Sequence, residues 1–301
     1  MKYTDKFTNN SSVLFGLLLL MWGSYAAISK LVLYSIDVFQ VQFYCYGISS
    51  LVMIAILVRK KSHRMIKELS LNQWFIVLLC GVLSCAYNFL YNIALSMAEE
   101  QEIATVVMIN YLFPIFVTIF SVPINGERLN MRKVIAIFIG MIGAFVVISG
   151  GAGLNLSGGG IPIYGLALLA AISWGLFSGF GKKNDVPMDV SNTIYVLVGF
   201  VLSSILLLLY SSVVPLDMSV SFLLLWRSLS NFVLAVFIWF KLLNANSSSK
   251  VAGLSLLTPF VTLLFVKFVF SDTRIDLYHI VGLGLIMAGV LFQSDRKRKE
   301  C

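Results

Sequence analysis

Charged residues are scarce in this chain of 301 amino acids. They make up 12% of it, whereas 59% of the residues are hydrophobic and the mean hydropathy is +0.91. A soluble domain is about 25% charged and about 45–50% apolar, and even a chain of about 300 residues leaves roughly a quarter of its surface in water. A water-soluble fold therefore cannot hide this apolar excess. The composition excludes disordered chains and secreted disulfide scaffolds, and it indicates an integral membrane protein.

Cysteine and histidine are also few, with four and two residues. Cys45, Cys80 and Cys85 lie in apolar runs and Cys301 ends the chain, so no disulfide or metal-ligand spacing occurs. No motif combines a nucleophile with a histidine and an acid. The sequence therefore predicts no enzyme, no metal centre and no cofactor.

Long hydrophobic runs take the place of the missing charge. Because a transmembrane helix needs about 20 apolar residues, the sequence predicts ten such helices with short connections. Unbroken runs, such as residues 201–209, lack the alternation of a membrane-barrel strand. The predicted spans are residues 12–33, 38–58, 73–95, 103–123, 131–149, 161–181, 191–213, 219–241, 250–270 and 275–293.

Basic residues fall mostly in every second connection. Cytoplasmic loops of membrane proteins carry an excess of Lys and Arg, and a cytoplasmic N-terminus places most of the 22 basic residues on the inner side. The outer side keeps Lys30 and Arg274 together with the acidic residues Glu99, Glu100 and Glu102. Both termini are therefore predicted to be cytoplasmic. Since the positive charge follows the topology, no nucleic-acid partner is expected.

Two motifs occur once in each half of the chain. Residues 22–30 read WGSYAAISK and residues 174–182 read WGLFSGFGK, each with a lysine eight positions after the tryptophan. Residues 112–114 (LFP) and 257–259 (LTP) each precede an acid that lies thirteen positions after the proline. A Gly-rich last helix follows in both halves. The predicted division is a first repeat at residues 1–149, a Gly-rich linker at 150–160 and a second repeat at 161–301 with a basic tail.

Five helices in each repeat make the second copy enter the membrane from the opposite side. Such inverted repeats are typical of secondary transporters, whose substrate binds near the midplane between the halves. The predicted fold is an all-α integral membrane protein of ten transmembrane helices in two inverted five-helix repeats. A receptor or a structural membrane protein has no comparable need of two inverted copies, so the arrangement favours transport by alternating access.

These motifs resemble those of a known family. The 5+5 pattern, the first helix with WG…K, the sequence YLFPIFVTIF followed by GERL, and the Gly-rich fifth helix resemble the drug/metabolite transporter superfamily, especially its ten-helix EamA-type branch. The resemblance spans almost the whole chain. It implies export of a small metabolite, frequently an amino acid and sometimes an aromatic one, across a bacterial inner membrane. The second half departs from the pattern by having Ser271-Asp272 in place of Gly126-Glu127.

All fourteen aspartate and glutamate residues fall in loops, tails or the ends of predicted spans, so none lies in the middle of a span. Proton-coupled pumps commonly use a membrane-embedded carboxylate that alternates between proton and substrate. The small four-helix multidrug relatives rely on such a glutamate in the first helix. We therefore expect gradient-driven export of a zwitterionic or anionic metabolite rather than exchange of cationic drugs for protons.

Arg227 lies several residues inside the eighth predicted span. An arginine at bilayer depth costs about 2.5–3.5 kcal/mol on insertion scales, so it should face protein or water. Two roles remain open from the sequence. The guanidinium binds a substrate carboxylate through two hydrogen bonds, or it reaches out to the lipid headgroups.

Aromatic, polar and helix-breaking residues within the spans are candidates for the transport site. A tryptophan beside a glycine at a close helix contact can form the wall for a flat substrate, and a proline within a helix removes a hydrogen bond and bends it. Each of these residues can instead serve ordinary packing. The candidate substrate-binding residues are Trp22, Tyr87, Asn88, Tyr91, Asn110, Tyr111, Trp174, Ser178, Arg227, Asn231 and Thr258. The candidate hinge residues are Gly23, Pro114, Gly175 and Pro259.

Two other functions compete with amino-acid export. One is the uptake or exchange of another organic solute, and the other is lipid flipping, which requires a polar groove open to lipid. The expected partners are a small-molecule substrate and membrane lipids, including anionic lipid at the basic tail. A single copy of the chain is compatible with this organisation.

Overall fold

Every regular element in the described part of the chain is helical. Apart from the α-helices it contains two short 3-10 helices, Ser62–Glu68 and Glu100–Glu102, and one π-helical segment, Ser228–Leu234. No strand occurs among the residues that the computed structural model describes, which are 9–128, 131–148, 160–246, 248, 251, 255, 258–272 and 275–293. The α-helices are α1 (Asn9–Leu33), α2 (Val38–Arg59), α3 (Leu71–Met97), α4 (Ile103–Asn110), α5 (Phe113–Asn125), α6 (Met131–Ile148), α7 (Gly160–Lys183), α8 (Met188–Tyr210), α9 (Met218–Arg227), α10 (Ala235–Ala245), α11 (Thr258–Val269) and α12 (Leu277–Gln293). The predicted linker, except for Gly160, and the basic tail lie outside these residues.

Seven helical stretches of the described residues are long and apolar enough to cross a membrane. Each coincides with one of the predicted spans, and three shorter apolar helices, Val134–Gly143, Thr258–Val269 and Leu277–Gly289, lie within the other predicted spans. Their length and composition are those of an integral membrane protein. The seven stretches are Val13–Leu33, Val38–Arg59, Leu71–Met97, Ile103–Asn125, Gly160–Lys183, Met188–Tyr210 and Met218–Ala245.

The outer surface of the helices is apolar, and much of the polar surface is turned inwards. Leu208 and Phe268 are 82% and 91% exposed, whereas the side chains of Asn88, Asn92 and Thr118 are buried. A soluble protein shows the reverse distribution, since water stabilises exposed polar groups. Contact with lipid explains the exposed apolar side chains. The buried polar groups mark the parts of the interior that are candidates for substrate binding or transport.

Local sequence signals set the helix ends near the two loops that follow α1 and α5. Asp37 caps α2 by accepting from the Gln40 amide, and the Gln40 side chain returns a hydrogen bond to Asp37 N–H. Gly126 ends α5 with φ of 67°, a left-handed conformation that glycine adopts without strain. This turn places Glu127 directly beyond the end of α5.

The helix is interrupted between α4 and α5, directly before Pro114, so the structure has a break where the sequence predicts a bend. Pro114 has no N–H, so the carbonyl of Asn110 lacks the donor that a continuous helix would supply. The chain bridges the gap with turn-like hydrogen bonds from Tyr111 N–H to Val107 and from Leu112 N–H to Ile109. Pro259 occupies the second position of α11. The use of either proline as a hinge stays a prediction.

Two glycines fix the crossings between helices of different halves. A Cβ atom at Gly23 of α1 would lie 2.5 Å from Cγ1 of Val261 in α11, and one at Gly175 of α7 would lie 2.5 Å from Cβ of Phe116 in α5. Both glycines belong to the repeated Trp-Gly pairs, and both neighbours lie two residues after the repeated prolines. The residues predicted as hinges thus serve as close-packing positions.

The last helix of each half, α6 and α12, also packs in a reciprocal way. A Cβ at Gly143 would lie 2.6 Å from the carbonyl oxygen of Gly282, and one at Gly289 would lie 2.5 Å from that of Ala136. Gly143 and Gly289 each lie seven positions after the residue that the other one contacts. Small residues at these positions let the two helix backbones approach closely.

Candidate functional site

A cavity lined by aromatic rings and amides lies between helices of the two halves. Its walls come from both halves of the chain and combine indole, phenol and amide groups. Among the predicted site residues, those that line it are Trp22, Tyr87, Asn88, Tyr91, Asn110, Tyr111, Trp174 and Asn231. The lining also includes residues that the sequence analysis did not select, among them Tyr25, Phe113, Asn192, Tyr195, Phe232 and Thr262.

The indole rings of Trp22 and Trp174 meet edge to face in the cavity wall. Their centroids lie 5.7 Å apart at an interplanar angle of 85°. Phe113 packs on Trp22 at 5.9 Å, and Tyr87 packs on Trp174 at 4.8 Å. Each aromatic pair contributes about 0.5–1.5 kcal/mol beyond burial. The two Trp-Gly motifs thus supply the two adjacent tryptophans of one aromatic wall.

Tyr25 connects this wall to a network of polar side chains. Its hydroxyl donates to Oδ1 of Asn88 at 2.8 Å and accepts from the amide of Asn92 and from Nη2 of Arg227, each at 2.9 Å. With one donor and two acceptor positions in use, the hydroxyl is saturated. The signal for Tyr25 was its position three residues after Trp22, which places both on one face of α1.

Arg227 is fully buried at the junction of α9 and the π-helical segment. Its guanidinium lies 4.7 Å from the centroid of the Tyr25 ring and 5.8 Å from that of Phe232, and both rings line the cavity. Nε and Nη1 have no hydrogen-bond partner in the described part of the chain. Arg227 is therefore neither a headgroup anchor nor a lining residue, and its charge stands behind the cavity wall.

Ser178 and Thr258 are not among the residues that line the cavity, and their part in substrate binding stays a prediction. The Ser178 hydroxyl accepts from the indole N–H of Trp239 at 3.0 Å, and Trp239 packs on Trp22 at 5.0 Å. Thr258 lies one helical turn before Thr262, which does line the cavity and bonds to the hydroxyl of Tyr111 at 2.7 Å. Ser178 lies four residues after the lining residue Trp174, so each of the two shares a helix face with a lining residue and differs from it in depth.

The family model of EamA-like transporters matches residues 10–149 and 161–294, which leaves only the predicted linker and the chain ends unmatched. The chain belongs to the EamA-like transporter family. It is therefore a multi-pass membrane transporter and not an enzyme.

Individual relatives agree with this assignment. The chain is 24% identical to the uncharacterized transporter YvbV of Bacillus subtilis (strain 168), over 96% of this chain and 93% of that protein. It is 30% identical to a probable amino-acid metabolite efflux pump of Salmonella typhimurium (strain LT2), over 55% and 58% of the two chains. It is 29% identical to the aromatic amino acid exporter YddG of Ancylobacter novellus, over 35% and 36%. A crystal structure of a protein with 18% sequence identity shares the fold, with a TM-score of 0.70 over 95% of this chain and 96% of the other.

An ion pair lies at one end of this EamA-like transporter. Nζ of Lys182, at the end of α7, lies 3.0 Å from Oε1 of Glu127, at the end of α5. The ammonium also donates to the carbonyl of Asn246 and to Oγ of Ser248, and Ser248 N–H donates to Glu127. Burial acts to raise the pKa of the Glu127 carboxyl, but the hydrogen bonds from Ser248 and the charge of Lys182 outweigh it and lower the pKa to about 2.

At the other end of the transporter, Lys30 takes the position that Lys182 has in the second half. Its ammonium donates to the carbonyl oxygens of Leu95 at 2.9 Å and of Ala98 at 2.6 Å. The neighbouring Tyr34 hydroxyl donates to Glu100 at 2.9 Å. Burial, together with the hydrogen bond to Glu100 and its negative charge, raises the pKa of Tyr34 to about 12. Polar contacts therefore tie α1 to the end of α3 at this end.

Helix α3 shows that these two ends lie on opposite sides of the cavity. Gln73, near the start of α3, donates to Asp185 just beyond α7 at 2.9 Å, whereas Leu95 near its end binds Lys30. About 22 residues of helix separate the two contacts, or about 33 Å at 1.5 Å per residue. Tyr87 and Tyr91, which line the cavity, lie on α3 between them.

Proposed function

We propose that this protein exports aromatic amino acids from a bacterial cytoplasm by alternating access. The observation that carries the proposal is the aromatic cavity between the two halves, backed by the buried guanidinium of Arg227. The names of two relatives, an aromatic amino acid exporter and a probable amino-acid metabolite efflux pump, favour the same substrate class.

The aromatic wall supports a substrate with a flat side chain. Trp22 and Trp174 present rings at 5.7 Å from each other, and Phe113 and Tyr87 extend the wall on either side. A ring bound among them gains aromatic contacts of about 0.5–1.5 kcal/mol each in addition to apolar burial. Aliphatic amino acids of similar size would gain burial alone.

The charge of Arg227 supports a substrate that carries a carboxylate. No aspartate or glutamate is among the residues that line the cavity in the described part of the chain. Arg227 stands directly behind Tyr25 and Phe232, in a region that excludes water, where a charge acts over several ångströms with little screening. An anionic group placed beside Tyr25 is therefore stabilised, and a purely cationic substrate is repelled.

The reciprocal helix crossings support an inverted-repeat transporter of ten spans. The contact of Gly23 with Val261 and that of Gly175 with Phe116 use corresponding positions of the two motifs. The family match divides at the same place as the predicted repeats, residues 1–149 and 161–301. We infer that both termini face the cytoplasm, since the basic loops are then inside. The bacterial relatives favour the inner membrane as the location.

Counterflow in proteoliposomes tests this function. Vesicles loaded with unlabelled L-phenylalanine should accumulate labelled L-phenylalanine, and L-tryptophan and L-tyrosine should compete better than L-leucine, without a proton gradient. The cavity variants Trp22→Leu and Trp174→Leu should weaken this preference for rings, while Trp226→Leu, at a partly exposed tryptophan outside the cavity lining, should keep it. Folded protein that exchanges none of these amino acids would refute the proposal and redirect the search to other solutes or to lipid.

A further inference from the structure

Three polar atoms on the cavity-lining residues have no hydrogen-bond partner in the described part of the chain. They are Oδ1 of Asn110, Oδ1 of Asn231 and the indole Nε1 of Trp174. The three residues are 4%, 9% and 7% exposed, so water does not replace the missing partners readily. A buried polar group without a partner costs about 1–3 kcal/mol. Three such atoms around one cavity indicate a ligand that supplies the partners.

The chemistry of the three atoms limits what that ligand carries. The two amide oxygens accept hydrogen bonds and so require donors, whereas the indole N–H requires an acceptor. The Asn231 amide nitrogen donates to Oγ of Ser230 at 2.8 Å, which leaves the amide oxygen without a partner. A primary ammonium supplies up to three donors, and a carboxylate supplies the acceptor.

We infer that Asn110 and Asn231 bind the α-ammonium group of the substrate and thereby make the transporter select free amino acids over the matching 2-oxo acids and N-acyl amino acids. The inference rests on the proposed function and adds the group that decides specificity. Asn110 closes α4 in the first half, and Asn231 lies in the π-helical segment of the second half. Extra-residue turns of this kind occur frequently at functional sites, since they turn a side chain away from the regular helical phase.

A 2-oxo acid keeps the ring and the carboxylate but brings an acceptor to the two amide oxygens. The oxygens then stay unpaired, and a site that bonds to a substrate group rejects an analogue without it. N-acetylation leaves one donor of three and adds bulk. We therefore expect phenylpyruvate and N-acetyl-L-phenylalanine to compete at least about tenfold more weakly than L-phenylalanine, which corresponds to ~1.4 kcal/mol.

Competition against labelled L-phenylalanine counterflow tests the inference, with these three compounds as probes. In the wild type, L-phenylalanine should compete at least about tenfold more strongly than phenylpyruvate or N-acetyl-L-phenylalanine. In Asn110→Leu and Asn231→Leu the ratio between L-phenylalanine and phenylpyruvate should move towards one, whereas Asn244→Leu, at an exposed position of α10, should leave it unchanged. Because the readout is a ratio, a general loss of activity does not imitate the result.

Each outcome bears on one of the two claims. Equal competition by phenylpyruvate in the wild type, or an unchanged ratio in both leucine variants, overturns the role of the two asparagines while export of aromatic substrates stands. If the leucine variants do not fold, the wild-type ratio alone decides. If neither the amino acid nor the 2-oxo acid exchanges, the proposed function fails and this inference falls with it.

A second inference concerns the two lysines at opposite ends of the transporter and the acid that corresponds to each of them. Lys182 and Lys30 occupy corresponding positions of the repeated motif, and so do Glu127 and Asp272. Each lysine bonds to a carbonyl in the segment after the third helix of its own half, Asn246 for Lys182 and Ala98 for Lys30. Among the described residues, Lys182 and Glu127 form an ion pair, whereas Lys30 and Asp272 do not.

The loop that carries Asp272 nevertheless lies close to Lys30. Phe270, two residues earlier, packs on the ring of Tyr34 at 6.1 Å, and the Lys30 ammonium lies 5.3 Å from the centroid of the same ring. Alternating access requires that closing one end accompanies opening of the other.

We infer that Lys182–Glu127 and Lys30–Asp272 form alternately, each closing one end of the transport path. The structure then represents the state in which the Lys182 end is closed. This inference rests on the proposed transport cycle. It makes each lysine a gating residue rather than a substrate ligand. Loss of either pair should favour opening of its own end.

Charge exchange across the unformed pair tests the gate. Lys30→Glu and Asp272→Lys should each lower exchange of labelled L-phenylalanine at least about tenfold, and the double variant should regain most of it. Asp217→Lys, at an exposed acid of another outer connection, should not rescue Lys30→Glu. A double variant no more active than the single ones, or equal rescue by Asp217→Lys, overturns the pairing. If the wild type exchanges L-phenylalanine and only these variants do not, the proposed function is unaffected.

Discussion

The guanidinium of Arg227 is fully buried, and the described residues offer it a tyrosine hydroxyl and two aromatic rings. Cation–π contacts and one hydrogen bond offset only part of the cost of removing a charge from water. If the proposed function holds, a substrate carboxylate beside Tyr25 lowers this cost further. The buried charge would then favour the substrate-bound protein.

Replacing Arg227 with methionine separates these two effects. We expect Arg227→Met to unfold at the same temperature as the wild type or higher, because removing a buried charge with apolar replacement is often neutral or stabilising. The same variant should bind carboxylate substrates at least about tenfold more weakly, ~1.4 kcal/mol. Thermal unfolding in detergent and the KM of counterflow measure the two quantities, with Lys241→Met on the exposed face of α10 as the control. Unchanged affinity in Arg227→Met would contradict an electrostatic role.

The lowered pKa of Glu127 makes the Lys182 end of the transporter sensitive to acid. Its folded-state pKa of about 2 lies below the ordinary value of 4.5, so the ionised carboxylate stabilises the fold above pH 4.5. This contribution is lost as the pH falls from about 4.5 towards 2, where the folded protein finally takes up the proton. The melting temperature of the wild type should fall more steeply over this window than that of Glu127→Gln. Parallel curves for both proteins would show that the ion pair adds nothing to stability.

At the level of helices, the sequence predicted where elements lie but missed how some of them are interrupted. Pro114 predicted a bend, and the structure has a break at this point. Asn110 and Tyr111, next to the break, line the cavity. The π-helical segment at Ser228–Leu234 had no sequence signal, because its apolar and polar residues also fit a regular helix. Arg227, at the start of this segment, contacts Tyr25 of α1, and the periodicity of a single helix contains no information about such contacts.

The two inter-half crossings should differ in their tolerance of an added methyl group. At Gly175 the new Cβ would meet Cβ and backbone atoms of Phe116, which cannot rotate away, whereas at Gly23 it would meet a side-chain methyl of Val261. We expect Gly175→Ala to destabilise by about 1–3 kcal/mol, as overpacking does, and Gly23→Ala by less. Gly165→Ala, also in α7 with open space around it, should stabilise slightly because alanine favours helix. Thermal unfolding of the three purified variants gives the order, and a Gly175→Ala protein as stable as Gly165→Ala would contradict it.

For the whole molecule, the distribution of basic residues predicts which side each connection faces. Single cysteines at positions 62 and 212, in a chain without its four native cysteines, should react with a membrane-impermeant maleimide from opposite sides. In intact cells, Ser212→Cys should be labelled and Ser62→Cys protected until the membrane is opened. The reverse pattern would overturn the orientation and with it the assignment of the Lys182 end to the cytoplasm.

The sequence by itself determined the membrane environment, the helical class and the family. Hydrophobic runs of about 20 residues permit only helices in lipid, and the WG…K and proline motifs of the two halves predict a repeat. It also selected many of the cavity residues, since polar and aromatic side chains inside apolar spans are rare and face protein.

Only the tertiary structure decided which of these side chains share a cavity. Tyr25, Asn88 and Arg227 come from three helices, and their hydrogen bonds form only when α1, α3 and α9 pack together. Helix packing also left Ser178 and Thr258 outside the cavity lining, and it formed Lys182–Glu127 while leaving Lys30 with backbone carbonyls. The physical reason is that sequence patterns fix the face of a helix, whereas the depth and rotation of that face are fixed by the neighbouring helices.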